Sequence, residues 1–328
     1  MKAIAEAHPN IALVKYWGKR DQKLNLPAVG SISVTLDGLK TVSSVHFQPE
    51  LKEDRLWIND KEASPQQTER VSRFLDLIRQ KSGIKYRAEV QSHNNFPTGA
   101  GLASSASAFA SLALAGSRAA GLNLNPSQLS ELARLGSGSA ARSIFGGFVE
   151  MKVGEKEDGS DAIAIKLEDK NYWNLRILIA ITSEEEKKIG STAGMQHTAK
   201  SSPFYHQWVL SSQLDLDMMR RAIFSRNFSQ LGEIAEHNCL KMHAVAMSAK
   251  PALLYWNHTT LSVMHVIRQL REQGTLAYFT IDAGPQVKIL CRPGDAEYLG
   301  KRILQIEGVQ KVLVTSLGSD ARLIEDEP

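Results

Sequence analysis

Cysteine is nearly missing from this chain, with only Cys239 and Cys291 among 328 residues. Two thiols build no disulfide framework, so a reducing compartment is the expectation. A run of about 20 apolar residues, the length a membrane-crossing helix needs, is also missing. The nearest approach lies between Glu89 and Arg118, where no charge occurs, but His93, Asn94, Asn95, Pro97 and several glycines interrupt it. Residues 1–6 show no signal-peptide core, and a cytoplasmic protein is expected. Neither sign of charge dominates. The 39 basic residues against 35 acidic ones leave +4, with a pI near 8.9. That weak excess, without a sheet that interleaves aromatic with basic residues, argues against a nucleic-acid-binding module. There is no internal repeat and no low-complexity tract. With 43% hydrophobic and 23% charged residues, what remains is a globular protein of two lobes or one large domain.

The residues that are present read as short strands with helices inserted. Positions 31–36, 41–47 and 55–59 alternate or are β-branched, with a turn at Asn59-Asp60. Ser64-Pro65-Gln66-Gln67 combines a cap, a first-turn proline and a capping-box glutamine; Val71, Phe74, Leu75 and Ile78 then form one stripe up to Gly83. Asn125-Pro126-Ser127-Gln128 repeats this start for a helix ending near Gly136. Strands are expected at 86–91 and 147–153, with the polar run 154–160 as a hairpin tip. The apolar run 175–181 predicts a strand buried on both faces. Helices follow near 203–224, 227–247, 258–273 and 294–307, and strands at 276–281, 287–291 and 311–315. Runs of strands with segregated helices indicate α+β rather than a doubly wound sheet.

Asn95-Phe96-Pro97-Thr98-Gly99-Ala100-Gly101-Leu102-Ala103-Ser104-Ser105-Ala106-Ser107 is the most informative segment. Two glycines allow close backbone approach, and a helix starts at once, offering unpaired N–H groups and a positive dipole end to an anion. A small-residue helix packed tightly on a sheet is the other reading. The segment is not a GxxxxGK[ST] loop, and Ser104 stands where a dinucleotide fingerprint has its third glycine. No carboxylate occurs between Glu89 and Glu131, as suits a polyphosphate site.

A second unusual segment, Pro9-Asn10-Ile11-Ala12-Leu13-Val14-Lys15-Tyr16-Trp17-Gly18-Lys19-Arg20-Asp21, gathers Lys15, Lys19 and Arg20 within six positions. In extended chain Lys15, Trp17 and Lys19 would share a face; a basic surface edge is the alternative. Residues 97–106 resemble the PxxxGLxSSA motif of the GHMP small-molecule kinase superfamily. Other segments narrow the match: 9–21, Leu24-Asn25-Leu26-Pro27, 31–36, Ser137-Gly138-Ser139-Ala140-Ala141-Arg142-Ser143, Ser191-Thr192-Ala193-Gly194-Met195-Gln196 and Ile281-Asp282-Ala283-Gly284-Pro285. Together, in this order over essentially the whole chain, they resemble the diphosphomevalonate decarboxylase family. The family usually has Asn-Ser-Ser at Val29-Gly30-Ser31 and Asn at Gln286, and both departures are expected near bound ligand.

The resemblance implies a two-lobed GHMP-kinase-like fold. An N-terminal ribosomal-protein-S5-like lobe would span 1–175, and a C-terminal ferredoxin-like lobe, carrying the catalytic aspartate, 176–328, with the active site between them. It further implies ATP-dependent decarboxylation of mevalonate 5-diphosphate to isopentenyl diphosphate, with ATP and Mg²⁺, in a homodimer. A β-hydroxy acid has no sink for the electrons released as CO2 leaves, and phosphorylating its 3-hydroxyl creates one. Cations and a helix N-terminus are the groups that can gather the required anions. By resemblance Asp282 takes the hydroxyl proton, Lys15 keeps Asp282 ionised, Arg142 clamps the carboxylate and Ser105 assists phosphoryl transfer. Tyr16, Lys19, Ser139, Ser191 and Met195 would line the substrate and diphosphate pocket. Gly99, Gly101, Leu102, Ala103, Ser104 and Ser105 would cradle the ATP phosphates, with Trp57 and Ser92 on the adenine and ribose side. Mg²⁺ would be held mainly through those phosphates, with Ser105 as its one protein candidate. Read without the resemblance, Asp282 is equally an Asx turn and Arg142 a surface residue near a helix end. A decarboxylase of the monophosphate, or a kinase that stops at phosphorylation, shares the same motifs. His237 and His243 form no HExxH pair and read as structural.

Overall fold

The computed structural model describes residues 1–96, 104–185 and 188–324. The chain opens with strands β1 (Lys2–Ala7), β2 (Asn10–Val14), β3 (Lys19–Asp21), β4 (Leu26–Pro27), β5 (Ser31–Thr35), β6 (Thr41–Gln48), β7 (Arg55–Ile58) and β8 (Lys61–Glu62). Helix α1 (Pro65–Ser82), strand β9 (Arg87–Asn94) and helices α2 (Ser104–Ala119) and α3 (Pro126–Gly136) follow. A 3-10 turn over Gly138–Ile144 leads to β10 (Phe148–Met151), β11 (Ala164–Glu168) and β12 (Arg176–Ile181). The remainder is α4 (Ser191–Ser201), α5 (Tyr205–Phe224), α6 (Phe228–Met247), α7 (His258–Glu272), β13 (Ala277–Ile281), β14 (Val287–Cys291), α8 (Ala296–Leu304), β15 (Lys311–Thr315) and β16 (Arg322–Ile324).

Three main sheets organise these elements, in the orders β16-β1-β6-β9-β7-β8, β11-β10-β5-β2 and β13-β14-β12-β15. Among the described residues only β7 and β9 pair in parallel, so the α+β expectation holds and a doubly wound sheet does not. The start signals act as read. Ser64 and Gln67 close a capping box on α1, Asn125 and Gln128 close one on α3, and Gly83 ends α1 in the left-handed region. The α1 stripe is buried against α2 and the first sheet, and β12 is buried along almost its whole length. Helix α2 satisfies both readings of the small-residue segment. Ser107 and Ser111 meet Thr41 and Ser43 of β6 at 2.6 and 2.7 Å, a close approach that larger side chains would prevent. Its first turn nevertheless stays open to the cleft described below.

Several elements were not anticipated. The expected extended run through Lys19 does not form: β2 ends at Val14, and Gly18 then takes φ +108°, a region that L side chains rarely enter. The last strand crosses back to the first sheet and pairs Ile4 with Ile324, a long-range register that local periodicity does not encode. Gln286 corrects the expectation that it lies near ligand. It is fully buried, accepts the Thr182 N–H at 2.6 Å and donates to the Ser183 carbonyl at 2.5 Å, bracing the segment after β12. Val29 likewise faces a core of Trp17, Met195 and Trp208, and a Cβ at Gly30 would press on Leu216. A Gln286→Leu substitution should therefore lower unfolding free energy by about 1–3 kcal/mol, by orphaning the Thr182 N–H, and leave the substrate KM unchanged. Denaturant titration and steady-state kinetics on the same preparation check both halves.

Candidate active site

One cleft of about 1090 Å³ collects most of the residues singled out above. Its floor is Asp282, which follows β13 directly and keeps 25% of its side chain open. Lys15, only 1% exposed, donates from Nζ to Asp282 Oδ1 at 2.7 Å and to the Ala12 carbonyl at 2.8 Å. Its backbone N–H goes to Asn238 Oδ1 on α6 at 2.7 Å, and this draws the chain out of β2. Lys288, on β14 and equally buried, places its ammonium 3.4 Å from Asp282 Oδ2. Burial alone would raise the Asp282 pKa. The two ammonium groups outweigh it and hold the carboxyl well below the usual carboxylate range.

Arg142 rises from the 3-10 turn beside this floor and is buried, not a surface residue. Its guanidinium donates to Ser33 Oγ at 2.9 Å, Ser31 Oγ at 2.5 Å and Asn10 Oδ1 at 3.1 Å. Those acceptors are neutral, and no ion pair to it occurs among the described residues. Burial pulls its pKa down to about 10, yet it stays cationic near neutrality. A buried cation held by neutral acceptors alone is suited to an incoming anion.

The opposite wall carries more positive charge. Lys19 Nζ donates to Asn25 Oδ1 at 2.6 Å; burial and then Arg70 lower its pKa to about 8. Arg70 and Arg73 of α1 and Lys23 line the same cleft, so six cations face one carboxylate among the described lining residues. Helix α4 begins here with Gly190, Ser191 and Thr192, and its N-cap, Gly190, has no side chain to cap the first turn. Tyr16 lies over Gly138, where a Cβ would strike its ring, and burial pushes its phenol pKa up. Ser105 Oγ and Ser139 Oγ each stand 3.4 Å from Ser137 Oγ, linking the start of α2 to the 3-10 turn. Met195 touches both the cleft and the Trp17 core. Trp17 turns inward and donates Nε1–H to Thr198 at 2.9 Å, so Lys15, Trp17 and Lys19 reach the cleft without forming one strand face.

The cleft thus joins Lys15, Tyr16, Lys19, Ser104, Ser105, Ser139, Arg142, Ser191, Met195 and Asp282. Gly99, Gly101, Leu102 and Ala103 lie outside the described residues. Trp57 on β7 and Ser92 on β9 are not among the lining residues; the buried Ser92 hydroxyl lies 3.1 Å from that of Ser43. The described residues contain no cluster of three His, Cys, Asp or Glu that could hold a metal ion. Sequence reasoning missed Asn10, Ser31, Ser33, Asn238, Arg70 and Lys288. Asn10, Ser31 and Ser33 lie in the segments 9–21 and 31–36 but were given no role, and Lys288 stands out as a single charge inside the apolar strand Val287-Lys288-Ile289-Leu290-Cys291.

Two family models match the chain: a diphosphomevalonate decarboxylase-like N-terminal domain over residues 7–164, and a mevalonate 5-diphosphate decarboxylase C-terminal domain over residues 177–319. The chain belongs to the diphosphomevalonate decarboxylase family. Relatives carrying that name include one from Debaryomyces hansenii, 34% identical over 98% of this chain and 88% of its own length. One from Bos taurus is 38% identical over 85% of this chain and 74% of its own. The crystal structure of mevalonate diphosphate decarboxylase from Staphylococcus aureus superposes with a TM-score of 0.94 at 38% identity, covering 99% of this chain and 98% of that one. A structure of MDDEF in complex with MVAPP, AMPPCP and magnesium gives a TM-score of 0.93 at 40% identity over 99% of both chains. The family resemblance and the two-lobed α+β fold are both borne out.

Within this family member, His243 lies under the floor, buried on α6, with Nε2 donating to the Ile281 carbonyl at 3.2 Å. Burial, then the Lys15 charge, lowers its pKa from 6.5 to about 3. The folded protein therefore keeps His243 neutral at pH 5, while the unfolded chain protonates it below about 6.5. Its stabilisation is complete above that pH and is lost as pH falls toward 3. Between pH 7 and pH 5 it should remove about 2 kcal/mol. Urea unfolding at the two pH values measures this, and His243→Gln should flatten the difference.

Proposed function

We propose that this chain converts mevalonate 5-diphosphate and ATP into isopentenyl diphosphate, ADP, phosphate and CO2. The observation that carries the reading is the cleft floor. An ionised Asp282 held by Lys15 lies beside Arg142, a buried cation with neutral partners only, under a wall rich in positive charge. Asp282 orients the 3-hydroxyl. Because its conjugate acid is strong, it accepts the proton only as the new O–P bond forms, not before. Arg142 takes the substrate carboxylate on a planar fork that lysine does not offer. The C3–O bond then breaks, its electron pair leaving with phosphate, and the C1–C2 pair becomes the C2=C3 double bond as CO2 departs. Lys15 and Arg142 supply the field that favours developing negative charge on the leaving oxygens.

Lys19, Tyr16, Ser139, Ser191 and Met195 form the substrate side of this reading, with Arg70 and the α4 N-terminus added for the diphosphate. Ser104 and Ser105 serve the ATP phosphates from the start of α2, together with Gly99, Gly101, Leu102 and Ala103. Trp57 and Ser92 stay assigned to the nucleotide base and ribose on the resemblance alone. The lone lining carboxylate is already committed to two ammonium groups, so the described residues suit a metal carried in on nucleotide rather than a protein-built cage. Bound Mg²⁺ would neutralise phosphate charge, with Ser105 in reach as a hydroxyl ligand. The division at 175/176 and the homodimer rest on the resemblance, and the cytoplasmic location on the scarcity of cysteine.

Incubation with ATP and either mevalonate 5-diphosphate or the monophosphate, scoring CO2 and ADP separately, tests the proposal. ADP and CO2 in equal amounts with the diphosphate support it. ADP without CO2 would mark a kinase, and preference for the monophosphate would reassign the substrate. Asp282→Asn and Arg142→Lys should keep ATP binding and lose about 100-fold or more in kcat. Because Lys19 must be protonated to meet the diphosphate, kcat/KM should fall as pH rises through about 8. In Lys19→Arg that basic limb should move out of range.

A further inference from the structure

Lys288 is the one charged residue of β14, whose other four residues are apolar and buried. An ammonium group in such a core is expensive to desolvate, and a hydrophobic residue of similar volume usually stabilises at least as well as a buried ion pair. Stability alone gives no reason for a lysine here. Its position does. Strands β13 and β14 pair Thr280 with Lys288 and Ile281 with Val287, and Asp282 is the next residue after β13. This register brings Lys288 Nζ to 3.4 Å from Asp282 Oδ2 while Lys15 Nζ holds Oδ1 at 2.7 Å. One cation stands at each carboxylate oxygen.

We infer that Lys288 is a positioning residue for Asp282, pinning the second carboxylate oxygen so that the group cannot rotate about its Cβ–Cγ bond. The inference rests on the reading of Asp282 as the group at the reacting hydroxyl. Lys15 cannot do the whole task, because its ammonium also serves the Ala12 carbonyl and its carboxylate contact is to Oδ1. A single contact leaves the carboxylate plane free to turn, and a misaligned acceptor loses rate without losing substrate affinity. The two nearby groups on α6 leave the arrangement to the lysines. Burial pushes the Cys239 thiol up to about 11 and His243 down to about 3, so both stay neutral around the working pH. Arg142 adds its field to Asp282, but its hydrogen bonds go to Ser31, Ser33 and Asn10.

The test is a double-variant cycle on the intact enzyme with mevalonate 5-diphosphate and ATP. Lys288→Met should lower kcat about tenfold with both KM values within twofold of wild type. In an Asp282→Asn background, adding Lys288→Met should change the residual kcat less than twofold, because its effect passes through the carboxylate already removed. A merely structural lysine would lower residual activity in both backgrounds. Should Lys288→Met not fold, Lys288→Arg carries the test, since it keeps the charge and displaces it; a lowered kcat at constant KM supports the inference. Wild-type kcat in Lys288→Met or Lys288→Arg, with Asp282→Asn inactive, would overturn the role of Lys288 alone. Near-wild-type turnover in Asp282→Asn would remove the reading of Asp282 and this inference with it.

Discussion

An ionised carboxylate held between two buried ammonium groups is the interaction on which the rest of this site depends. Burial pushes Asp282 toward its neutral form, in which it could not accept a proton. Lys15 and Lys288 reverse that preference and fix where the oxygens point. The arrangement also limits what Asp282 can do. A carboxylate so well stabilised is a weak base, suited to directing a hydroxyl and receiving its proton late in phosphoryl transfer. Chemistry that required a free alkoxide first would need a different group.

The charges cannot be assembled locally, and the fold exists around that constraint. Lys15 follows β2, Arg142 sits on the 3-10 turn after α3, Asp282 follows β13 and Lys288 lies on β14. Asp282 and Lys15 are 267 positions apart. The elements between them hold these groups in register. Trp17 and Trp208 pack under the entrance, and the Asp215–Asn238 pair on α5 and α6 fixes the backbone at Lys15. Asp215 also binds Lys241 at 2.6 Å, so a second acid–base pair lies behind the first without reaching the cleft. Arg142 depends on β2 and β5 in the same way, since Asn10, Ser31 and Ser33 supply its acceptors.

Legibility follows from whether a residue's reason is local. The capping boxes at Ser64 and Asn125, the α1 stripe and strand β12 could be read because their patterns sit within a few positions. Lys15, Arg142 and Asp282 were reachable only through the family resemblance; their local settings read equally as a basic edge, a helix end and an Asx turn. The β16 pairing and Lys288's contact with Asp282 had no local signature beyond one charge in an apolar strand. Gln286 shows the opposite error. Its place after a motif suggested ligand, whereas its amide is spent on Thr182 and Ser183.

The charge distribution also bears on how the substrates share the cleft. Among the described lining residues six cations face one carboxylate, and Lys19, Lys23, Arg70 and Arg73 are not bonded to that carboxylate. Arg70 repels the Lys19 ammonium, and burial draws the pKa values of both down. An incoming diphosphate relieves that strain on one wall, and a carboxylate at Arg142 relieves it on the floor. Each anion that binds thus settles the cations it meets. The energy released on the remote diphosphate becomes available to hold the hydroxyl against Asp282, where a static pocket of neutral groups would have none to offer.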